Sequence, residues 1–212
     1  MSESVARILA AAARGDFPPQ DGRTTVVPQP GARDAGVLAF TAHSVVFTDE
    51  DPQWVRGALA AAASDPLAAS MNPGFLHALM TRTGRSMNTI DLLTVADARP
   101  GPPGLALREI EDPAHPRVAR ALKYRDEVRV WAADGGVLVL GRGVAGRWEA
   151  AIEVDLEARG AGLGVELALA ARHLVPGTHI WAQQSPGNAC SIRTFQQAGY
   201  RPVGSEALLT AG

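Results

Sequence analysis

A single cysteine, Cys190, leaves this chain without an internal disulfide and without a cysteine-cluster metal site. It also lacks a dominant charge. Twenty Lys and Arg against 22 Asp and Glu give a net charge of −2, so no strong basic field draws it to nucleic acid or to an anionic membrane. No apolar run approaches the roughly 20 residues of a membrane span. The opening stretch, MSESVARILAAAARGDFPP, has no basic leader and carries Glu3 early. It reads as a short amphipathic helix stopped by Gly15, not as a signal peptide, and a cytoplasmic protein is expected. The five histidines follow no metal-ligand spacing, and no internal repeat stands out. What is present is ordinary: 46% hydrophobic and 20% charged residues over 212 positions, enough for one large domain or two small ones. The abundance of Ala, Gly, Arg and Pro resembles a bacterial coding bias.

The clearest seam is RPGPPG, Arg99 to Gly104, whose prolines and glycines neither continue a helix nor sit inside a sheet. It divides the chain into units expected at 1–99 and 104–212. In the first, GVLAFTAHSVVF (36–47) predicts one or two strands. Asp51 and Pro52 start a helix with Trp54, Val55, Leu59 and Ala62 on one face. Asn72–Pro73 start another that Gly84 ends, and TIDLLTVA (89–96) is a strand. No cluster in this half points to chemistry. In the second unit, LALREIE predicts a strand and HPRVARALKY a helix. VRVWA and VLVLG flank a hairpin turn at Ala133–Gly136, and RGVAGR turns into the strand WEAAIEV. The helix GLGVELALAARHL carries Leu163, Leu167, Ala170 and Leu174 as a stripe. THIWAQQ is a strand, Asn188 caps the helix ACSIRTFQQA, and Gly199 ends it. YRPVG and the tail supply a last strand or two.

The segment EARGAGLGVEL (157–167) sets Gly160, Gly162 and Gly164 on alternate positions at the start of a helix. Exposed amides at a helix amino end carry partial positive charge and bind phosphate directly. The glycines remove side chains that would hold a ligand away, and Arg159 adds a full charge. A Walker loop requires Lys–Ser/Thr after the last glycine, but Val165 and Glu166 stand there. A dinucleotide fingerprint requires G-x-G-x-x-G within a parallel βαβ unit, whereas here the spacing is G-x-G-x-G after antiparallel strands. A glycine-rich turn with no ligand is the plain alternative.

Together with NACSIRTFQQAGYRPVG, which begins 24 residues after Gly164, this segment resembles the GNAT superfamily of acyl-CoA-dependent N-acyltransferases. Arg159 to Gly164 fits the family's Arg/Gln-x-x-Gly-x-Gly/Ala loop. Asn188 to Tyr200 is similar to its second signature, Asn-x-x-(Ser/Ala)-Ile-x-x-aromatic-x-x-x-Gly-aromatic. The resemblance covers about residues 104–212 and implies an α/β (α+β) fold with a mixed, mainly antiparallel sheet flanked by helices, preceded by a smaller α/β unit. That unit is expected to be a degenerate relative or a lid shaping the acceptor site. The resemblance further implies acetyl-CoA as co-substrate, with no metal. Arg159, Gly160, Ala161, Gly162, Leu163, Gly164 and Val165 would hold its pyrophosphate. Ile152 and Val154 would offer backbone groups to its pantetheine arm, across a sheet splayed between WEAAIEV and THIWAQQ. Asn188 would contact the arm or simply cap its helix. Ser191 and Arg193 are expected to face solvent.

Two departures matter. Phe195 stands in the cofactor-binding motif where many members carry a tyrosine that protonates the leaving thiolate, so that acid is missing. The general base is open between Glu153, preferred, and Glu149. Both lie on WEAAIEV and by alternation share a face, unless a family bulge shifts the parity. A solvated strand face is the alternative for both. Tyr200 is expected to be core, Cys190 a small buried packing residue, and Trp131, Trp148 and Trp181 sheet packing. Arg142 and Arg147 are expected at the surface beside a turn. The leading function is N-acetyl or short-acyl transfer to an amine, small-molecule or protein, compatible with a homodimer and without nucleic acid or membrane. A non-catalytic acyl-CoA-binding sensor or scaffold, and a nucleotide-binding oxidoreductase, are the competing readings.

Overall fold

The computed structural model describes residues 4–62, 65–175 and 177–211, so Glu3 lies outside the described residues. In chain order the elements are α1 (Val5–Ala13), β1 (Arg23–Val27), β2 (Asp34–Phe40), β3 (His43–Phe47), α2 (Pro52–Ala62), α3 (Pro66–Ala69), α4 (Pro73–Thr83), β4 (Ile90–Asp97), β5 (Arg108–Ile110), α5 (Pro116–Tyr124), β6 (Asp126–Ala133), β7 (Gly136–Arg142), β8 (Trp148–Val154), α6 (Leu163–Leu174), β9 (His179–Gln184), α7 (Ala189–Gln197) and β10 (Arg201–Thr210). They form two compact units, Met1–Leu93 with Val203–Gly212, and Thr94–Pro202. No described helix is long and apolar enough to cross a membrane.

In the first unit the strands run in the order β1-β3-β2-β10, with β1 parallel to β3 and the others antiparallel. Its core is built by the buried side chains of β2 with Val55, Leu59, Phe75, Leu76, Leu79 and Leu209. Trp54 and Ala62 of α2 pack against the same cluster, as the helical stripe predicts. Asn72 accepts from the Gly74 amide at 2.8 Å, and Gly84 closes α4 in the left-handed region with φ +66°. His43 bridges Asp21 (2.8 Å) and Thr25 (3.0 Å), which ties the loop before β1 to the start of β3. That contact holds the Asp21 carboxyl below its ordinary range. The strand β1 and the one-turn helix α3 are additions to the elements read from the sequence.

The second unit orders its strands β4-β9-β8-β7-β6-β5. From β5 to β8 every pairing is antiparallel, and β8 meets β9 in parallel. The mixed, mainly antiparallel sheet flanked by helices therefore holds. The hairpin between β6 and β7 closes over Asp134–Gly135, with Ala133 opposite Gly136 and Gly135 at φ +83°. β5 is shorter than LALREIE suggested, because Leu105 and Leu107 pack on the core outside the strand. One face of β8 and β9 packs on α6 and α7 through Trp148, Ala150, Leu167, Ala171, Ile180 and Phe195. The seam at Arg99–Gly104 lies inside this unit, tied to the end of α6. The Arg99 amide donates to Arg172 O (2.7 Å), and His173 Nδ1 lies 3.1 Å from the carbonyls of Pro100 and Gly101. The tail forms one strand, β10, which from Val203 onward belongs to the first unit.

Candidate active site

β8 has two different ends. Its register with β7 is unbroken from Trp148 opposite Arg142 to Val154 opposite Gly136. A register shift falls on β6, between Asp126 and Arg129, and none on β8 toward β7, where a family bulge would have shifted the parity. Strand parity is therefore intact, and Glu149 and Glu153 share the face covered by α5. Two hydrogen bonds fix the phase of the ladder. The Asp155 amide donates to Gly135 O (2.9 Å) and the Gly143 amide to Arg147 O (2.9 Å). In an antiparallel pair this sets Trp148, Ala150, Ile152 and Val154 in the non-hydrogen-bonded positions toward β7. Their backbone N–H and C=O groups point the other way, toward β9.

Toward β9 the described pairing is Glu149 opposite Trp181. Beyond it, among the described residues, no register pair joins the two strands. The ladder ends there, and Ile152 and Val154 turn their backbone groups toward a side on which no strand partner is described.

At the closed end, the Glu149 carboxylate is buried between two arginines. Arg125 Nε lies 2.8 Å from Oε2 and Arg147 Nε 2.8 Å from Oε1. Burial works to raise its pKa, but the two guanidiniums prevail and hold it at about 2. The cluster is so tight that a Cβ on Gly143 would lie 2.1 Å from the carboxylate. Arg147 is buried, not at the surface, because this ion pair and the ring of Trp181, 5.3 Å below its guanidinium, take it inward. Glu153, four residues on, is half-exposed and paired with Arg117 of α5 at 3.2 Å. Arg125, Arg147 and Arg117 were not singled out as partners from sequence. Arg147 stands two residues before Glu149 on one strand face, a spacing that signals the contact. Arg125 and Arg117 come from elsewhere in the chain and leave no such trace.

The glycine loop sits at the open end. Gly160 (φ +85°) and Gly162 (φ +91°) are exposed in the left-handed region, with no atom within 4 Å of where a Cβ would stand. Gly164 serves packing: its Cβ would lie 3.2 Å from Thr194 and 3.6 Å from Val154. Gly162 caps α6 without a side-chain hydrogen bond. Elsewhere the capping oxygen or nitrogen is supplied by Ser4, Asp51, Asp65, Asn72, His115 or Asn188. α6 is thus the helix whose amino end a side chain leaves open, and its first turn adds Leu163 and Val165, both half-buried. Ala161 is exposed between the two glycines. Arg159 is exposed and donates from Nε to Val154 O at 3.1 Å.

The second motif divides its residues. Asn188 is exposed and accepts from the Ser191 amide at 3.0 Å, so it is a helix cap. Phe195 is buried, edge-on to Tyr200 with ring centroids 4.9 Å apart. The Tyr200 hydroxyl donates to Ala168 O (3.3 Å), and burial raises its pKa. Cys190 is exposed in the first turn of α7, not buried as expected, since that turn stands clear of the core. Trp131, Trp148 and Trp181 are buried in the sheet, and Arg142 lies 4.2 Å over the Trp148 ring. Among the described residues no His, Cys, Asp and Glu side chains gather as a metal site.

The backbone fits an extended ligand with an anionic end. Ile152 and Val154 offer an edge with no strand partner described, the Val154 carbonyl accepting from Arg159; the α6 amides offer partial positive charge, and the glycines leave room for close approach. No family model and no curated protein matches the chain. Solved structures do. A tandem GNAT protein from the clavulanic acid biosynthesis pathway matches at 16% identity with a TM-score of 0.39, over 64% of this chain and 57% of that one. A GCN5-related N-acetyltransferase from Sphaerobacter thermophilus matches at 12% identity and 0.39, over 66% and 56%. The chain thus spans little more than half the length of either protein. A GCN5-related N-acetyltransferase from Kribbella flavida, to which this chain is similar at 16% identity with a TM-score of 0.43, is matched over 98% of this chain and 95% of its own.

Proposed function

We propose that the chain is an acyl-CoA-dependent N-acyltransferase of the GNAT type, which moves an acetyl or other short acyl group to an amine. One observation carries this reading: the edge of β8 with no described strand partner and the uncapped amino end of α6 lie at the same end of one strand. An extended arm bearing amides adds to such an edge as a strand does, and the helix amides take the phosphates at its end. Acetyl-CoA, when bound, supplies the activated thioester carbonyl. The chain's own residues hold and orient it through Ile152, Val154 and the loop from Arg159 to Val165.

Proton transfer falls to Glu153. Glu149, held at about 2 by two arginines, is a poor proton acceptor at neutral pH and secures the closed end of the strand. Glu153 is half-exposed with one arginine beside it, and it accepts the proton of the attacking amine directly or through water. Phe195 donates nothing. A thiolate whose parent thiol has a pKa of about 8.5 takes its proton from water. The acceptor is a small-molecule or protein amine.

The test is thiol release from acetyl-CoA screened across a library of amines. Release with at least one amine class, lost in Glu153→Gln, is the expected result. The buried Phe195 and the locked Glu149 favour one other reading, a non-catalytic acyl-CoA sensor. Acetyl-CoA binding with no thiol release from any amine would establish that reading instead.

A further inference from the structure

The contact between Arg159 and Val154 bears on which thioesters the site accepts. The Val154 carbonyl is one of the groups that the ladder phase turns toward the side with no described strand partner, and Arg159 Nε already occupies it at 3.1 Å. The guanidinium therefore sits across the open edge of β8. Arg159 is exposed, so water competes with the Val154 carbonyl for its guanidinium. It is also the sole cation in the sequence between Arg147 and Arg172, a segment that carries the exposed carboxylates Asp155, Glu157 and Glu166. Within this segment Arg159 is the side chain that can answer an anionic donor.

We propose that Arg159 is a specificity residue, which selects acyl donors carrying phosphate by covering the edge of β8 against donors without it. The inference rests on the acyl-CoA reading. A diphosphate offers the guanidinium a charge-assisted, forked partner that a neutral carbonyl cannot match. A phosphate-bearing donor thus draws Arg159 off Val154 and gains both the cation and the freed edge. A donor without phosphate must displace Arg159 and gives it nothing in return. The two donors differ in affinity for the covered and uncovered forms, and that difference is what shifts the equilibrium.

The full chain and Arg159→Ala are titrated with acetyl-CoA and with S-acetylpantetheine, the same thioester arm without phosphate. Substitution is expected to move the two probes in opposite directions. Acetyl-CoA binding weakens about tenfold or more with the loss of a charge-assisted pair, while S-acetylpantetheine binding tightens about threefold as the edge is freed. A purely phosphate-binding Arg159 leaves S-acetylpantetheine unchanged, and a purely structural one weakens both probes. Either result overturns the proposal. Circular dichroism and a melting curve matching the unsubstituted chain exclude misfolding as the cause. If the unsubstituted chain fails to bind acetyl-CoA at all, the acyltransferase reading falls first and this inference with it.

Discussion

Glu149 and Glu153 stand four residues apart on the same face of the same strand, yet their surroundings have little in common. At the Glu149 end β8 is paired on both sides, the carboxylate is buried, and two guanidiniums saturate it. At the Glu153 end the pairing with β9 has ceased, the carboxylate is half-exposed, and the adjoining helix begins without a side-chain cap. Two guanidiniums outweigh the effect of burial and keep the Glu149 carboxylate ionised at neutral pH, which suits fixing a strand and unsuits proton transfer. Partial exposure beside an opening suits contact with a ligand. One strand therefore carries a closed, saturated end and an open end to which the proposed chemistry is assigned.

The largest effect that would break this contrast is on stability. Glu149→Ala removes the carboxylate shared by the buried Arg147 and the half-buried Arg125 and is expected to cost about 3–5 kcal/mol, read by denaturant unfolding. A cost below 1 kcal/mol would mean that the closed end is not held by this cluster. The same group sets an acid limb. Its pKa is lowered from 4.5 to about 2 by folding, so its stabilisation is complete above the unfolded value and is lost as pH falls from about 4.5 toward 2. Unfolding measured across that window should flatten in Glu149→Gln.

Next in size, Glu153→Gln should lower turnover about a hundredfold while leaving stability nearly unchanged. A stability loss as large as that of Glu149→Ala, with turnover intact, would reverse the assignment of the two ends. Gly143→Ala puts a methyl group on the Glu149 carboxylate and should cost about 1–3 kcal/mol, with the loss concentrated above pH 4.5. Smallest is Asn188→Ala, expected to cost about 1 kcal/mol through the lost cap on α7. A fall in acetyl-CoA affinity beyond that change would add ligand contact to its capping role.

Features written in local patterns were legible in the sequence. Asn72–Pro73 with Gly84, Asn188 with Gly199, and Asp134–Gly135 each mark a boundary by backbone chemistry, and each stands where expected. The five-residue β1, which follows a turn-rich stretch and pairs with β3 rather than with its sequence neighbour, left no such mark. The path of β10 into the first unit was hidden for the same reason. Strand pairing over this distance is decided by the whole fold and not by a local period. At the candidate site, the conformation of the glycine loop was readable because it lies in the backbone, with Gly160 and Gly162 both at positive φ. The state of Glu149 was not, since it is set by Arg125, 24 residues away, and by an arginine that a surface turn seemed to claim.

The central claim is that the open end of β8 and the start of α6 receive an acyl-CoA. Amide hydrogen exchange with and without acetyl-CoA tests it most directly. The account predicts new protection at Ile152, Val154 and Gly160 to Gly164, with the Glu149 end already protected and unchanged. Binding that leaves this segment unprotected, while slowing exchange elsewhere, would contradict it.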